Sequence, residues 1–344
     1  MKNPPTYRDE VVPFTARDGF ACNLIHVLGK TSPTRGPVLL VHGAGVRANL
    51  FRAPAEVNVV DYLLSLGYDV WLENWRGSID LAFNSWNIDQ AAVYDHPAAV
   101  DAVLSHTGAS TLKAIIHCQG STSFMWAAVA GLLPRVNVIV SNAVSLHPVI
   151  PGWSHLKLPF AIPILKGQTA YIDCQWPDHP DSSIARAIVE AVRLTHHECN
   201  SIYCKMVSFT YGAGFPALWS HANLNEDTHT WIHQEFGKVP ITFFEQMIEC
   251  VRAGHLVPKT NLGLPADVTA QAPQTDARFA LFAGLENKCF LPESQQRTYD
   301  WLNAHAPGRH TLHLIPNYGH LDVFMGKDAS EDIFPLMAQE LEAA

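Results

Sequence analysis

A chain of 344 residues that is 48% hydrophobic and only 16% charged has room for one large core and an inserted subdomain, and is too apolar to stay disordered. Its net charge of −9, with no run of lysines or arginines, excludes the electrostatic footprint of a nucleic-acid or anionic-membrane binder, which leaves small molecules or protein partners. The opening "MKNPPTYRDEVVPF" lacks a basic-then-apolar leader and no run of 18 apolar residues occurs, so a cytoplasmic protein without a membrane span is expected, its seven cysteines mostly buried reduced thiols.

In chain order, "VVPFTARDGFACNLIHVL" predicts a hairpin turning at Arg17-Asp18-Gly19, and "GPVLLVHGAG" a buried strand ending in a glycine turn. "VVDYLLSLG" has helical periodicity, "GYDVWLENWRGS" reads as strand then loop, and "DHPAAVDAVLSHTG" as a helix with proline in its first turn and glycine after its end. "TLKAIIHC" and "VNVIVSNAV" are further strands. Regularity stops there for about a hundred residues and resumes at "RFALFAGLEN", the helix "SQQRTYDWLNAHA", the strand "HTLHLIPNYGH" and the helix "EDIFPLMAQELEA". Alternation of this kind implies an α/β protein with a mostly parallel sheet and helices on both faces, built from 1–150 and 275–344, with 151–274 as an insertion.

The chemistry concentrates in "LKAIIHCQGSTSFMW", residues 112–126, where a strand runs into a helix through His117 and Cys118. A nucleophile on such a turn projects from the carboxyl edge of the sheet, and the helix start supplies N–H donors and a positive dipole end that acidify a thiol. Gly120 satisfies the tight elbow, whereas Ile116 stands where G-x-S-x-G has its first glycine. His117 is expected to be structural, because successive side chains on the turn point apart.

These residues resemble the α/β-hydrolase superfamily. "GYDVWLENWRG", "YDHPAAVDAVLSHTG" and "HCQGS" are similar to the corresponding stretches of acid lipases, whose elbow carries serine. A resemblance over nearly the whole chain, at "GSIDL", "IHCQGST", "LNEDTH", "ENKCFLPES" and "NYGHLD", is to α/β-hydrolase modules associated with cholesterol-oxidase-like oxidoreductases of the glucose-methanol-choline type. Polyhydroxyalkanoate synthases resemble the chain more distantly and share cysteine at the elbow. The resemblance implies an eight-stranded α/β-hydrolase fold with a cap subdomain over the site, and acyl chemistry at Cys118.

It also implies the remaining roles. His320, in "PNYGHLDVF", stands where the superfamily carries its catalytic histidine. The acid position reads Gly284-Leu285-Glu286-Asn287, so Asn287 is expected to orient His320 by a neutral hydrogen bond, with Glu286 and Asp322 as alternatives. The N–H groups of Ala44, in "VHGAG", and Gln119 would form the oxyanion hole. "LHPVIPGWSHLKLPFAIPILKG" and "YGAGFPALWSHANL" suit the roof of an apolar pocket. "HHECNSIYC" brings His196, His197, Cys199 and Cys204 together, but C-x4-C lacks a second pair at ligand spacing, so neither metal nor cofactor is expected.

The sequence therefore points to a cysteine-dependent hydrolase or acyltransferase acting on a hydrophobic ester or thioester, carrier-bound acyl groups included, through an acyl-Cys118 intermediate. The alternative is a non-catalytic module that binds a hydrophobic ligand or an oxidoreductase partner.

Overall fold

The computed structural model describes residues 7–144 and 146–343; the first six residues of the expected core, its position 145 and its last residue lie outside them. Ten strands are described: β1 (Arg8–Thr15), β2 (Ala21–Leu28), β3 (Pro37–Val41), β4 (Asp69–Asn74), β5 (Leu112–His117), β6 (Val136–Asn142), β7 (Tyr171–Asp173), β8 (Lys238–Pro240), β9 (Arg278–Gly284) and β10 (Thr311–Ile315). Eight of them form one sheet in the order β1-β2-β4-β3-β5-β6-β9-β10. The β1–β2 and β2–β4 pairs are antiparallel and the rest parallel, as the alternation of strands and helices predicts. The chain has the α/β-hydrolase fold, with the sheet's carboxyl edge gathering the turns that follow β3, β5, β9 and β10.

Central strands are buried on both faces, which is why they read as unbroken apolar runs. Every residue of β3 is buried. Leu39, Val41, Ala114 and Ile116 pack into the core on one side of the sheet, and Val38, Leu40 and Ile115 into the core on the other. The helix His96–Thr107 starts with Pro97 in its first turn and ends at Gly108, whose φ of 70° supplies the left-handed cap.

The motif residues around that helix are structural. Arg76 reaches Asp95 at 2.6 Å and Asp18 at 2.8 Å, with Arg76 and Asp95 both buried. His96 bridges Glu73 at 2.9 Å and Ser123 at 2.8 Å. This serine–histidine–carboxylate array is fully buried and lines none of the five described cavities, and it ties β4 to the helix Cys118–Val129.

Between β6 and β9 the chain forms the helices Gly152–Lys166, Ser183–Thr195, Ile202–Tyr211, Glu226–Trp231 and Ile241–Ala253, and the antiparallel pair β7–β8. Sequence patterning registers none of these helices. Pro159 and Pro163 lie inside the first of them, and Ser182, Ser201 and Asn225 cap the next three by accepting backbone N–H groups.

Asp95→Asn should destabilise the protein by about 3 kcal/mol in chemical denaturation, because it leaves the buried Arg76 guanidinium facing a neutral amide. Asp18→Asn, at a quarter-exposed position, should cost under about 1 kcal/mol.

Candidate active site

The turn between β5 and the helix Cys118–Val129 places Cys118 at φ 55°, a left-handed conformation that an L-residue adopts at a cost of about 1–3 kcal/mol. Two close approaches hold it there. A Cβ on Gly120 would stand 2.2 Å from the His42 carbonyl oxygen, and one on Gly43 would stand 2.9 Å from Cys118 Cβ. The elbow helix therefore lies directly on the β3 turn, and only glycine fits at both contacts. Ile116 causes no conflict, since it is a fully buried β5 residue paired with Val41 and Ser141.

Cys118 is buried but lines a narrow cavity of about 50 Å³ together with Ala44, Gln119, Lys157, Tyr211 and Cys289. Its apolar walls come from Ile150, Leu158, Phe243, Phe244, Met247 and Phe290. A larger groove, between β1, β2 and the helix Val59–Ser65, holds none of the residues singled out as reactive in the sequence.

The Cys118 thiol is held well below the ordinary thiol range. A hydrogen bond with the Cys289 thiol is the largest cause; burial opposes it, and His320 and the Gln119 backbone N–H add to the lowering. Cys289 is pushed the other way, as the neutral S–H donor of the pair. Elsewhere burial pushes Cys174 and Cys250 up to about 12, so they stay protonated. All seven cysteines are free thiols.

His320 arrives from the turn after β10, with a ring nitrogen within 4.8 Å of Cys118 Sγ. Its Nε2 makes no close hydrogen bond, a length that tightens in catalytic pairs only once substrate is bound. On the other side of the ring, Asn287 Nδ2 lies 3.0 Å from His320 Nδ1. The amide's orientation follows from its other end: Asn287 Oδ1 accepts the backbone N–H groups of Cys289 at 2.9 Å and Phe290 at 3.2 Å. The NH2 end must then donate to Nδ1, which places the proton of neutral His320 on Nε2. Asparagine thus meets the ring with the opposite polarity to a carboxylate, which would accept from Nδ1–H.

The two alternatives to Asn287 are elsewhere. Glu286 is exposed. Asp322 is buried and spent on other donors: it accepts the backbone Gly319 N–H at 2.8 Å and Ser220 N–H at 3.2 Å and the side-chain Asn223 Nδ2–H at 2.6 Å. Desolvation pushes its carboxyl up to about 6. His117 does not point away from the pair, as adjacency on the turn suggests; its ring packs 4.8 Å from that of His320 and its Nδ1 meets Asn142 Nδ2 at 2.9 Å. Asn142 Nδ2 also donates to the His320 carbonyl at 2.9 Å, so β6 braces both histidines.

On the β3 turn, His42 Nδ1 lies 2.7 Å from the Gly43 carbonyl oxygen, and the Tyr211 hydroxyl donates to the Ala44 carbonyl at 2.7 Å. Both carbonyls flanking the Ala44 N–H are thereby fixed. The Gln119 N–H belongs to the first turn of its helix, where N–H groups lack intrahelical acceptors. Sequence reasoning missed Cys289, the partner of Cys118, and three further lining groups. Tyr211 and Lys157 stand on helices that it did not register, Lys157 Nζ donating to the carbonyls of Phe209 and Gly212 with burial lowering its pKa to about 8. The Gln119 side chain is buried with neither amide atom paired.

No protein-family model matches the chain. Its sequence is similar to sterol esterase 2 of Saccharomyces cerevisiae, 28% identical over 157 residues covering 38% of this chain and 29% of that protein. Human lipase member K is 30% identical over 34% of this chain and 33% of its own. A probable lipase of Schizosaccharomyces pombe is 22% identical over 88% of this chain and 69% of its own. The match thus spans about a third of the first two relatives. Among solved structures, an esterase of Thermogutta terrifontis superposes with a TM-score of 0.57 at 13% identity, covering 96% of this chain and 99% of that one. The Bacillus subtilis carboxylesterase CesB gives 0.54 at 13% identity over 98% and 93%. These structures agree on the fold.

Iodoacetamide should alkylate Cys118 at a rate that stays high well below the pH at which an ordinary thiol falls off, and Cys118→Ala should abolish that phase. Cys289→Ala should move the midpoint of the rate–pH curve up by about one unit, the worth of one hydrogen bond. Gly120→Ala should cost about 3 kcal/mol in denaturation, since its Cβ meets backbone and cannot be relieved by a rotamer change.

Proposed function

We propose that the protein is a cysteine-dependent acyl-transfer enzyme whose preferred donors are hydrophobic thioesters, with the segment between β6 and β9 as a cap over the site. The observation that carries this reading is the thiol on a positive-φ elbow, acidified at a helix start and opposed by a histidine whose partner is an amide. Cys118 attacks the carbonyl carbon as thiolate, and the N–H groups of Ala44 and Gln119 take the charge that develops on the carbonyl oxygen. Collapse of the tetrahedral intermediate expels the leaving group and leaves an acyl-Cys118 thioester, which a second nucleophile relieves of its acyl group.

The amide at position 287 decides which leaving groups suit the site. A carboxylate there would favour the imidazolium that protonates a departing alkoxide; Asn287, donating to Nδ1, disfavours it. A departing thiolate is a far weaker base and needs little protonation. The same argument applies to deacylation: with its proton on Nε2, His320 is a poor base for water, whereas a thiol acceptor near its own pKa supplies thiolate unaided. The unpaired Gln119 amide would bind a polar group of the donor, and the Phe243, Phe244 and Met247 wall its acyl chain.

Two measurements test this. Intact mass spectrometry after mixing with acyl thioesters should show one acyl adduct, absent in Cys118→Ala; an adduct that survives that substitution sinks the reading. Asn287→Asp should raise ester turnover and the share of acyl groups lost to water at least about tenfold, against a ceiling near the 10⁴-fold effect of carboxylate-to-amide exchange in serine triads. If Asn287→Asp leaves both unchanged, the amide does not set the preference.

A further inference from the structure

The fold completes a ligand set that the sequence leaves half-made. Cys199 and Cys204 flank the start of the helix Ile202–Tyr211, and the chain returns to them with His221, in a short turn, and His229, in the helix Glu226–Trp231. One ligand atom from each of the four lies within 4.8 Å of every other. Cys204 Sγ is 3.4 Å from His221 Nε2, Cys199 Sγ is 3.8 Å from His229 Nε2, and the two imidazole rings are 5.0 Å apart. Zn–S bonds of about 2.3 Å and Zn–N bonds of about 2.0 Å at tetrahedral angles place sulfur and nitrogen roughly 3.5 Å apart. His196 and His197, their neighbours in sequence, take no part: His196 Nδ1 meets Thr195 Oγ1 at 3.0 Å, and His197 is exposed.

We propose that Cys199, Cys204, His221 and His229 form a closed, structural Zn²⁺ site in the segment between β6 and β9. Four soft and borderline donors with no fifth position are the composition of structural zinc sites. The surroundings supply the expected outer partners. Ser201 N–H donates to Cys199 Sγ at 3.3 Å, and the buried Trp219 Nε1–H, which has no oxygen or nitrogen acceptor, faces Cys204. Glu198 carries a buried Oε1 with no partner near His221, where an N–H of that ring turned outward by metal ligation would find an acceptor.

The site has a mechanical consequence. Cys204 stands in the first turn of the helix Ile202–Tyr211, and Tyr211 at its last residue holds the Ala44 carbonyl beside the proposed oxyanion hole. Zinc anchors one end of that helix while the other end sets the β3 turn. The inference stands on the ligand geometry and does not depend on the proposed chemistry at Cys118.

The test uses the full chain, expressed with added zinc, freed of loose metal by brief chelation and gel filtration, and analysed by mass spectrometry for metal content. About one zinc per chain is expected, retained by Cys118→Ala, which removes the active-site thiol, and lost from Cys199→Ser/Cys204→Ser and His221→Ala/His229→Ala. Prolonged chelation should lower the Tm of the wild type. To separate ligand loss from misfolding of the double variants, the wild type reloaded with Co²⁺ gives an independent reading: thiolate-to-cobalt charge transfer with intense visible bands of a tetrahedral centre, also present in Cys118→Ala. Zinc absent from the wild type, cobalt spectra without thiolate ligation, metal content undiminished in the double variants, or a Cys199–Cys204 disulfide in the fresh protein would each overturn the proposal.

Discussion

The contact on which the site depends is backbone against backbone: the helix after β5 rests on the β3 turn so closely that a methyl group on Gly120 would overlap the His42 carbonyl. That contact forces the elbow to turn within one residue, holds Cys118 at φ 55°, and brings the Gln119 N–H beside the Ala44 turn. The strain at Cys118 is offset by the packing of β3 and β5, whose inward residues are fully buried on both faces of the sheet. The elbow thiol, the helix start and the Ala44 and Gln119 N–H groups are thus set by one steric fit.

The proposed chemistry turns on two departures from a serine triad, which support each other. The Cys289 S–H, the helix start and His320 all lower the Cys118 thiol pKa, so in the proposed reaction the thiol needs no strong base. Asn287 can therefore stand where a carboxylate would be needed to activate a hydroxyl, and the backbone N–H groups of Cys289 and Phe290 fix which end of the amide meets His320. The loop "ENKC" contributes both the amide and the partner thiol, so one tight turn after β9 tunes both members of the pair.

The segment between β6 and β9 reaches the site through few residues. Tyr211 holds the Ala44 carbonyl, Lys157 is pinned by two carbonyls at the cavity wall, and Ser220 and Asn223 bind the Asp322 carboxylate next to the His320 turn. Asp322 serves here as a buried clasp: its three acceptor contacts join the inserted segment to the histidine loop. Movement of that segment would be felt at both the Ala44 turn and the His320 loop.

The sequence by itself determined the sheet, because strands buried on both faces must be continuous apolar runs and the helices between them carry their own stops, as Pro97 and Gly108 do. It also pointed to Cys118 and His320, since an elbow and a loop position in fixed order are local signals, and it favoured Asn287 while leaving Glu286 and Asp322 open beside it. What it left open depends on distance in space. Glu286, Asn287 and Asp322 are equivalent as polar residues near a histidine; only the fold exposes the first, aims the second at Nδ1 and spends the third on backbone N–H groups. The helix Gly152–Lys166 escaped because two prolines and apolar residues on its exposed side hide its period, whereas Ser183–Thr195 and Ile241–Ala253 carry an amphipathic period that the sequence reading passed over. Cys199 and Cys204 looked like half a metal site because their partners lie a turn and a helix further on, and spacing along a chain cannot register which side chains a fold returns to one point.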